Sequence, residues 1–127
     1  MIDSSAWVEF LRGTGSPVCD RVEGLLGSKT AITDPILMEV LAGARDERHL
    51  HDLRGLLGRS QLLHCAPADY SHAALLFRQC RQRGETVRRL IDCLIAAVAL
   101  REALPVLHSD SDFDVLARHT GLRLHSA

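Results

Sequence analysis

The chain has 127 residues, of which 46% are hydrophobic and 24% are charged, and its formal net charge is −1. This length accommodates one hydrophobic core, so we expect a single domain over residues 1–127, and the hydrophobic fraction excludes a disordered chain. No apolar run approaches the roughly 20 residues of a membrane span, and the N-terminus lacks the basic and apolar regions of a signal peptide, so we expect a cytoplasmic protein without a membrane partner.

Short strand-like segments alternate with helical segments along the chain, which predicts an α/β fold around a mainly parallel sheet. The first three residues form the first predicted strand. Ser4 or Ser5 is expected to cap the helix that follows. Trp7, Phe10 and Leu11 recur in that helix at the spacing of a single helical face, so we expect this face to pack against the core.

The second predicted helix spans residues 17–27, and the second strand spans residues 29–33. Asp34 and Pro35 then form a strong helix start, with Asp34 as the N-cap and Pro35 at the first helical position. This third helix is expected to continue to about Ala42, where a glycine follows.

The rest of the chain completes the alternation with four more helices and three more strands. The helix over residues 86–103 is predicted to be the most buried, because Leu90, Leu94 and Val98 leave it little polar surface. The predicted helices span residues 46–57, 68–83, 86–103 and 110–119, and the predicted strands span residues 61–65, 105–108 and 122–125.

Three acidic residues lie in apolar surroundings: Asp3 ends an apolar strand, and Glu39 and Asp92 interrupt apolar helices. A carboxylate in such surroundings is costly unless it is paired, hydrogen-bonded or bound to a cation. Asp110 follows the fourth predicted strand, and ligands of an open parallel sheet gather at the carboxyl ends of its strands. Since Mg²⁺ and Mn²⁺ prefer oxygen ligands, the pattern predicts that these acids hold one or two such ions.

Each acid taken singly also has a simpler interpretation, and the residues alone leave these alternatives open. They are an N-cap role for Asp3, a solvent-facing position for Glu39, an ion pair of Asp92 with Arg88 or Arg89, and capping of the next helix by one of Asp110, Asp112 and Asp114, with Asp112 or Asp114 expected.

Arginines are concentrated in one stretch of twelve residues. They are candidates for contacts with an RNA backbone, although solvated helix faces and ion pairs explain such residues equally well. The five are Arg78, Arg81, Arg83, Arg88 and Arg89.

Four blocks of the sequence, residues 2–9, 35–43, 84–97 and 106–114, resemble in order the motifs of the PIN-domain ribonucleases. The similarity is closest to the VapC-type toxins of bacterial toxin–antitoxin pairs. The blocks are spread over nearly the whole chain. Each block alone is a weak indication of this family, whereas four blocks in the right order are a specific one.

The resemblance implies a three-layer α/β/α sandwich whose five-stranded, mainly parallel sheet has the strand order 3-2-1-4-5. It also implies roles for particular residues. These are Asp3, Glu39, Asp92 and Asp110 as catalytic acids, Asp3, Asp92, Asp110 and Asp112 as metal ligands, and Ser5 as a hydroxyl that supports the first aspartate.

The implied activity is a Mg²⁺- or Mn²⁺-dependent endoribonuclease that cleaves structured RNA (tRNA or rRNA) with a metal-activated water, leaving a 5′-phosphate and a 3′-hydroxyl. The implied partners are a cognate VapB-type antitoxin and a second copy of the chain, with a larger hetero-oligomer once the antitoxin binds. One alternative is a catalytically inactive PIN-like binding module. Another is an aspartate-dependent phosphatase, but such enzymes commonly carry Asp-x-Asp after the first strand, where this chain has Asp3-Ser4-Ser5.

Overall fold

Helices form most of the chain in the computed structural model, which describes residues 1–125. Seven helices and two regular strands occur within these residues. Their bounds are α1 (Ser4–Arg12), α2 (Pro17–Leu25), β1 (Ala31–Thr33), α3 (Asp34–Ala42), α4 (Glu47–Leu57), β2 (Gln61–Leu63), α5 (Pro67–Gln82), α6 (Leu90–Arg101) and α7 (Ser111–His119).

Extended segments lie side by side in the centre of the molecule. β1 and β2 pair in parallel, with Ile32 opposite Leu62. Ile2 donates a backbone hydrogen bond to Ala31 and forms an isolated parallel bridge with Leu107. These contacts confirm the α/β class. They also show that the predicted strands at residues 1–3, 105–108 and 122–125 are reduced to isolated bridges within the described residues.

The short strands have a local cause. Asp3 and Asp110 cap α1 and α7 through their side chains, so the chain turns into a helix almost as soon as it leaves each extended segment. The predicted cap of the first helix, Ser4 or Ser5, is therefore wrong, because both serines already lie inside α1. The predicted cap of the helix after Asp110 is also wrong, because neither Asp112 nor Asp114 holds that position.

The core is centred on α6, in which every residue from Asp92 to Ala99 is buried. The prediction that this helix is the most buried one is therefore confirmed. Its first residue is an exception, since Leu90 is 58% exposed and does not belong to the core. α5 packs along α6, with Leu76 and Cys80 buried among the core residues.

Two predicted helix starts are wrong. α6 begins at Leu90 and not at Thr86, because the backbone N–H groups of Arg88 and Arg89 donate to the Asp112 side chain and hold that segment out of the helix. The N-cap of α3 is Thr33 and not Asp34. The Asp34 carboxylate accepts instead from the backbone of Cys65, which follows the neighbouring strand.

α1 buries a narrower face than its periodicity predicted. Trp7 is completely buried and meets Phe10 edge to face, whereas Leu11 is 41% exposed. Gly13 ends the helix with a φ of 62°, which only glycine adopts without strain. Within residues 1–125 no helix has the length and hydropathy needed to cross a membrane.

Candidate active site

Asp3 and Asp110 leave adjacent extended segments at the same end of the molecule. The Asp3 backbone N–H donates to the Leu107 carbonyl at 2.9 Å, which fixes the register of the two segments. The loop after Leu107 is also tied to the first helix, since the Ser109 backbone N–H donates to Ser5 Oγ at 2.9 Å. The two acids are therefore positioned by the backbone and not by flexible loops.

Asp3 combines capping with a buried, partly unpaired carboxylate. Its Oδ2 accepts from the Ser5 backbone N–H at 3.0 Å and from Ser5 Oγ at 2.6 Å. Its Oδ1 is buried and has no hydrogen-bond partner among residues 1–125. Burial raises the pKa of Asp3, the two bonds from Ser5 oppose this rise, and the nearby Glu39 adds to it.

Asp92 lies on the first turn of α6, where it meets two acids from the α7 region. One carboxylate oxygen from each of Asp92, Asp110 and Asp112 lies within 4.8 Å of the others. Asp92 is 1% exposed, and its Oδ2 has no hydrogen-bond partner in the described part of the chain. Burial, contact with Asp112 and the negative charge of Asp3 raise the pKa of Asp92 to about 8.

Asp112 is also buried, but both of its oxygens are engaged. Oδ1 accepts from the Arg88 backbone N–H at 3.0 Å and from Arg88 Nε at 3.2 Å, and Oδ2 accepts from the Arg89 backbone N–H at 3.0 Å. Burial alone would raise the pKa of Asp112, but these hydrogen bonds hold the pKa below its usual range. Asp112 therefore acts first as an anchor for the segment that precedes α6.

Glu39 lies at the rim of the acidic cluster and is partly exposed. Ser4 Oγ donates to its Oε1 at 3.0 Å, and Arg89 Nη2 forms an ion pair with its Oε2. The same Arg89 nitrogen lies 3.8 Å from Asp92 Oδ1. Glu39 is thus neither a buried acid nor a free surface residue, because its charge is shared with the cluster through Arg89.

The five predicted RNA-contacting arginines divide into two groups. Arg88 and Arg89 lie at the acidic cluster, where Arg88 Nη2 also donates to Asp110 Oδ1 at 2.7 Å. The other three lie on or just after α5 and do not line the pocket; one of them, Arg81, stacks its guanidinium over the ring of Phe77 at 5.5 Å. The structure thus brings only two of the five arginines to the predicted site.

A pocket of about 330 Å³ opens over the acids. Five of its lining residues were not predicted: Ser4, Val8, Glu9, Arg12 and Ser109. Ser4 and Ser109 hold Glu39 and Glu9 by hydrogen bonds, at 3.0 and 3.1 Å. Ser4 could have been found from its position directly after Asp3, whereas no local pattern pointed to the other four residues. The lining consists of Asp3, Ser4, Ser5, Val8, Glu9, Arg12, Glu39, Arg89, Ser109 and Asp110.

The donor set fits a hard divalent cation. Buried carboxylate oxygens without hydrogen-bond partners are costly, and Asp3 Oδ1 and Asp92 Oδ2 are two such atoms within residues 1–125. A cation bound by carboxylate oxygens removes this cost and offsets the repulsion among the acids. Three of the predicted ligands, Asp92, Asp110 and Asp112, bring carboxylate oxygens within 4.8 Å of one another.

Comparison with known proteins agrees with this geometry. Residues 1–119 match the PIN domain family model. Ribonuclease VapC11 of Mycobacterium tuberculosis is 43% identical over 130 residues, covering 99% of this chain and 97% of the relative.

Solved structures that share the fold include the VapBC2 complex of Rickettsia felis bound to a DNA fragment from its promoter (TM-score 0.78, 21% identity, covering 98% of this chain and 96% of that one). They also include Mycobacterium tuberculosis VapC20, a toxin that cleaves the sarcin–ricin loop (TM-score 0.67, 17% identity, covering 96% and 97%). The chain belongs to the PIN-domain family and, within it, to the VapC ribonucleases.

Proposed function

We propose that the chain is a toxin endoribonuclease that hydrolyses the phosphodiester backbone of a structured RNA, tRNA or rRNA, with one or two Mg²⁺ or Mn²⁺ ions. The observation that carries the metal dependence is the pair of buried, unpartnered carboxylate oxygens on Asp3 and Asp92, beside Asp110. The relative VapC11, a ribonuclease that matches nearly the whole chain, supports the reaction class.

In the proposed mechanism Asp3, Asp92 and Asp110 hold the cation, and Ser5 keeps the Asp3 carboxylate in one orientation. A bound ion supplies activation of the attacking water and offsets charge at the scissile phosphate. Asp112 orients the start of α6, and with it Asp92. Glu39, at the rim and hydrogen-bonded to Ser4, is placed to accept a proton from water.

The cleavage test uses total cellular RNA with Mn²⁺, and the 5′ ends of the products are mapped to identify the substrate. Asp3→Asn and Asp92→Asn should each lose at least the roughly 10–100-fold that loss of an outer-shell metal partner costs. Both variants should remain folded by circular dichroism. Wild-type-like cleavage by both, or undiminished cleavage in EDTA, would rule out the metal mechanism.

A matched control separates loss of a ligand from loss of charge. Asp52 is exposed and lies on α4, so Asp52→Asn removes the same charge without touching the pocket lining. It should cleave at the wild-type rate. An inactive binding module, the remaining alternative, predicts no cleavage by any of these proteins.

We further propose that a VapB-type antitoxin controls the enzyme. A groove of about 410 Å³ between α1, α3 and α4 meets the acidic pocket at Val8, Arg12 and Glu39, so an extended segment could lie in the groove and reach the acids. Leu11 lines this groove, whereas Trp7 is completely buried. A basic side chain from such a segment would pair with the carboxylates.

The antitoxin test co-expresses the neighbouring small open reading frame with this chain. Leu11→Glu should abolish co-purification and leave cleavage by the free chain unchanged. Leu75→Glu changes an exposed apolar position on α5 outside the groove and should bind the partner normally. Failure of the wild-type pair to co-purify, or full cleavage by the complex, would contradict this control.

Two structural proposals complete the assignment. The backbone contacts support a five-stranded, mainly parallel sheet of order 3-2-1-4-5 within one domain, residues 1–127, since residues 61–63, 31–33, 1–3, 106–107 and 123–125 are neighbours in that order. We also propose a homodimer, joined into a larger hetero-oligomer by the antitoxin. Large exposed apolar side chains, among them Met38, Tyr70 and Leu90, support such an interface.

A further inference from the structure

Arg89 holds a guanidinium between two acids of the pocket. Its Nη2 pairs with Glu39 Oε2 and lies 3.8 Å from Asp92 Oδ1, while its side chain remains 47% exposed. The guanidinium therefore occupies the space between the two carboxylates and also faces solvent through the pocket. A divalent ion and this guanidinium cannot both occupy that space, and their like charges repel at such distances.

The charge of the pocket becomes less negative when a divalent ion binds. Four acidic side chains (Asp3, Glu9, Glu39 and Asp110) and two arginines (Arg12 and Arg89) line the pocket. Without an ion the pocket is therefore net negative and repels an RNA phosphate. Bound divalent charge removes this repulsion and at the same time weakens the hold of the acids on Arg89.

The two arginines differ in what holds them. Arg88 reaches Asp112 through both its backbone N–H and its Nε, and Asp112 also binds the next backbone N–H, so Arg88 is part of the anchor of α6. Among residues 1–125 the Arg89 side chain forms ion pairs only with Glu39 and Asp92. The Arg89 side chain can therefore move away while the backbone N–H of Arg89 keeps its hydrogen bond to Asp112 at the start of α6.

We infer that Arg89 is an exchangeable counter-ion of the acidic pocket: it pairs with Glu39 and Asp92 in the metal-free protein, moves out when a divalent cation binds, and then pairs with the RNA phosphate at the rim. The exchange rests on the proposed function. It makes Arg89 a competitor of the metal and a ligand of the substrate, so removing its charge has effects of opposite sign on the two.

The test compares Arg89→Gln with the wild type in two measurements. Mn²⁺ binding to the RNA-free protein, followed by isothermal titration calorimetry, should become tighter by on the order of tenfold, because the competing charge is gone. Cleavage of total RNA at saturating Mn²⁺ should become slower, through a raised KM. A residue with only a structural role would weaken both.

Two control variants separate the effect of the charge at position 89 from the effect of removing a charge elsewhere. Arg89→Lys retains the charge and should bind Mn²⁺ like the wild type. Arg48→Gln removes an exposed charge on α4, away from the pocket lining, and should change neither measurement.

The outcomes separate the two proposals. Wild-type protein that binds no Mn²⁺ would overturn the proposed function and the exchange together. Wild-type protein that binds Mn²⁺ and cleaves RNA, while Arg89→Gln binds Mn²⁺ no more tightly or cleaves as fast at saturating Mn²⁺, would overturn the exchange alone.

Discussion

Asp3 and Asp92 differ in how the fold treats a buried carboxylate. Asp3 receives two hydrogen bonds from Ser5 on one oxygen, which partly stabilise its ionised form. Asp92 receives no such bonds on its Oδ2, and burial with two neighbouring acids raises its pKa to about 8. Asp92 is therefore the acid whose ionisation depends most on a bound cation.

This difference predicts how stability depends on pH in the metal-free protein. Between about pH 4 and about pH 8 folded Asp92 keeps a proton that the unfolded chain has released, so a rise in pH favours unfolding. In EDTA the melting temperature of the wild type should fall more between about pH 5 and about pH 8 than that of Asp92→Asn, which cannot ionise. Asp52→Asn, at an exposed position on α4, should follow the wild type. Parallel curves for the wild type and Asp92→Asn would contradict the raised pKa.

The start of α6 shows how one side chain sets the bounds of an element. The sequence from Thr86 onward is compatible with a helix, but Asp112 takes the backbone N–H groups of Arg88 and Arg89. These two N–H groups therefore have a hydrogen-bond acceptor outside a helix, and α6 begins only at Leu90. This delay places Asp92 on the first turn, where it faces the acids beside α7.

Asp112→Asn tests this anchor. The amide offers one acceptor oxygen in place of two, and its NH₂ group would face a backbone donor. We expect a loss of about 1–3 kcal/mol in the free energy of unfolding, measured in urea with EDTA. The amide hydrogens of Arg88 and Arg89 should exchange faster with solvent, as NMR would show. Unchanged exchange at both amides would show that Asp112 does not hold the segment.

At the scale of the whole molecule, elements distant in sequence converge on one charged pocket. Asp3 precedes α1, Glu39 lies on α3, Asp92 on α6, and Asp110 caps α7. Their mutual repulsion opposes folding when no cation is bound. A cation that binds only the folded protein must therefore stabilise the whole chain.

Mg²⁺ or Mn²⁺ should accordingly raise the melting temperature of the wild type. The double variant Asp3→Asn, Asp92→Asn should respond much less, because it lacks both unpartnered carboxylate oxygens. Asp20→Asn, Asp52→Asn removes the same charge from exposed positions on α2 and α4 and should respond like the wild type. An equal response in all three proteins would place the ion elsewhere.

The sequence by itself determined the fold class, the family and most helices. Hydrophobic periodicity depends on residues close together in the chain, and the four family motifs lie in continuous blocks, so both are readable without a structure. The apolar run from Cys93 to Ala99 predicted the central helix for this reason. The acids were noticed because charge is rare within apolar segments.

Tertiary structure alone decided how those residues are used. Asp112 is 24 positions from its backbone partner on Arg88, and Glu39 is 50 positions from Arg89, so no local pattern encodes either contact. These contacts also place the start of α6 at Leu90, and they hold Arg88 and Arg89 at the acidic cluster, away from the other three arginines. They exist because a buried carboxylate takes whatever donors or cations the fold brings within reach, and that proximity is set by the packing of whole elements.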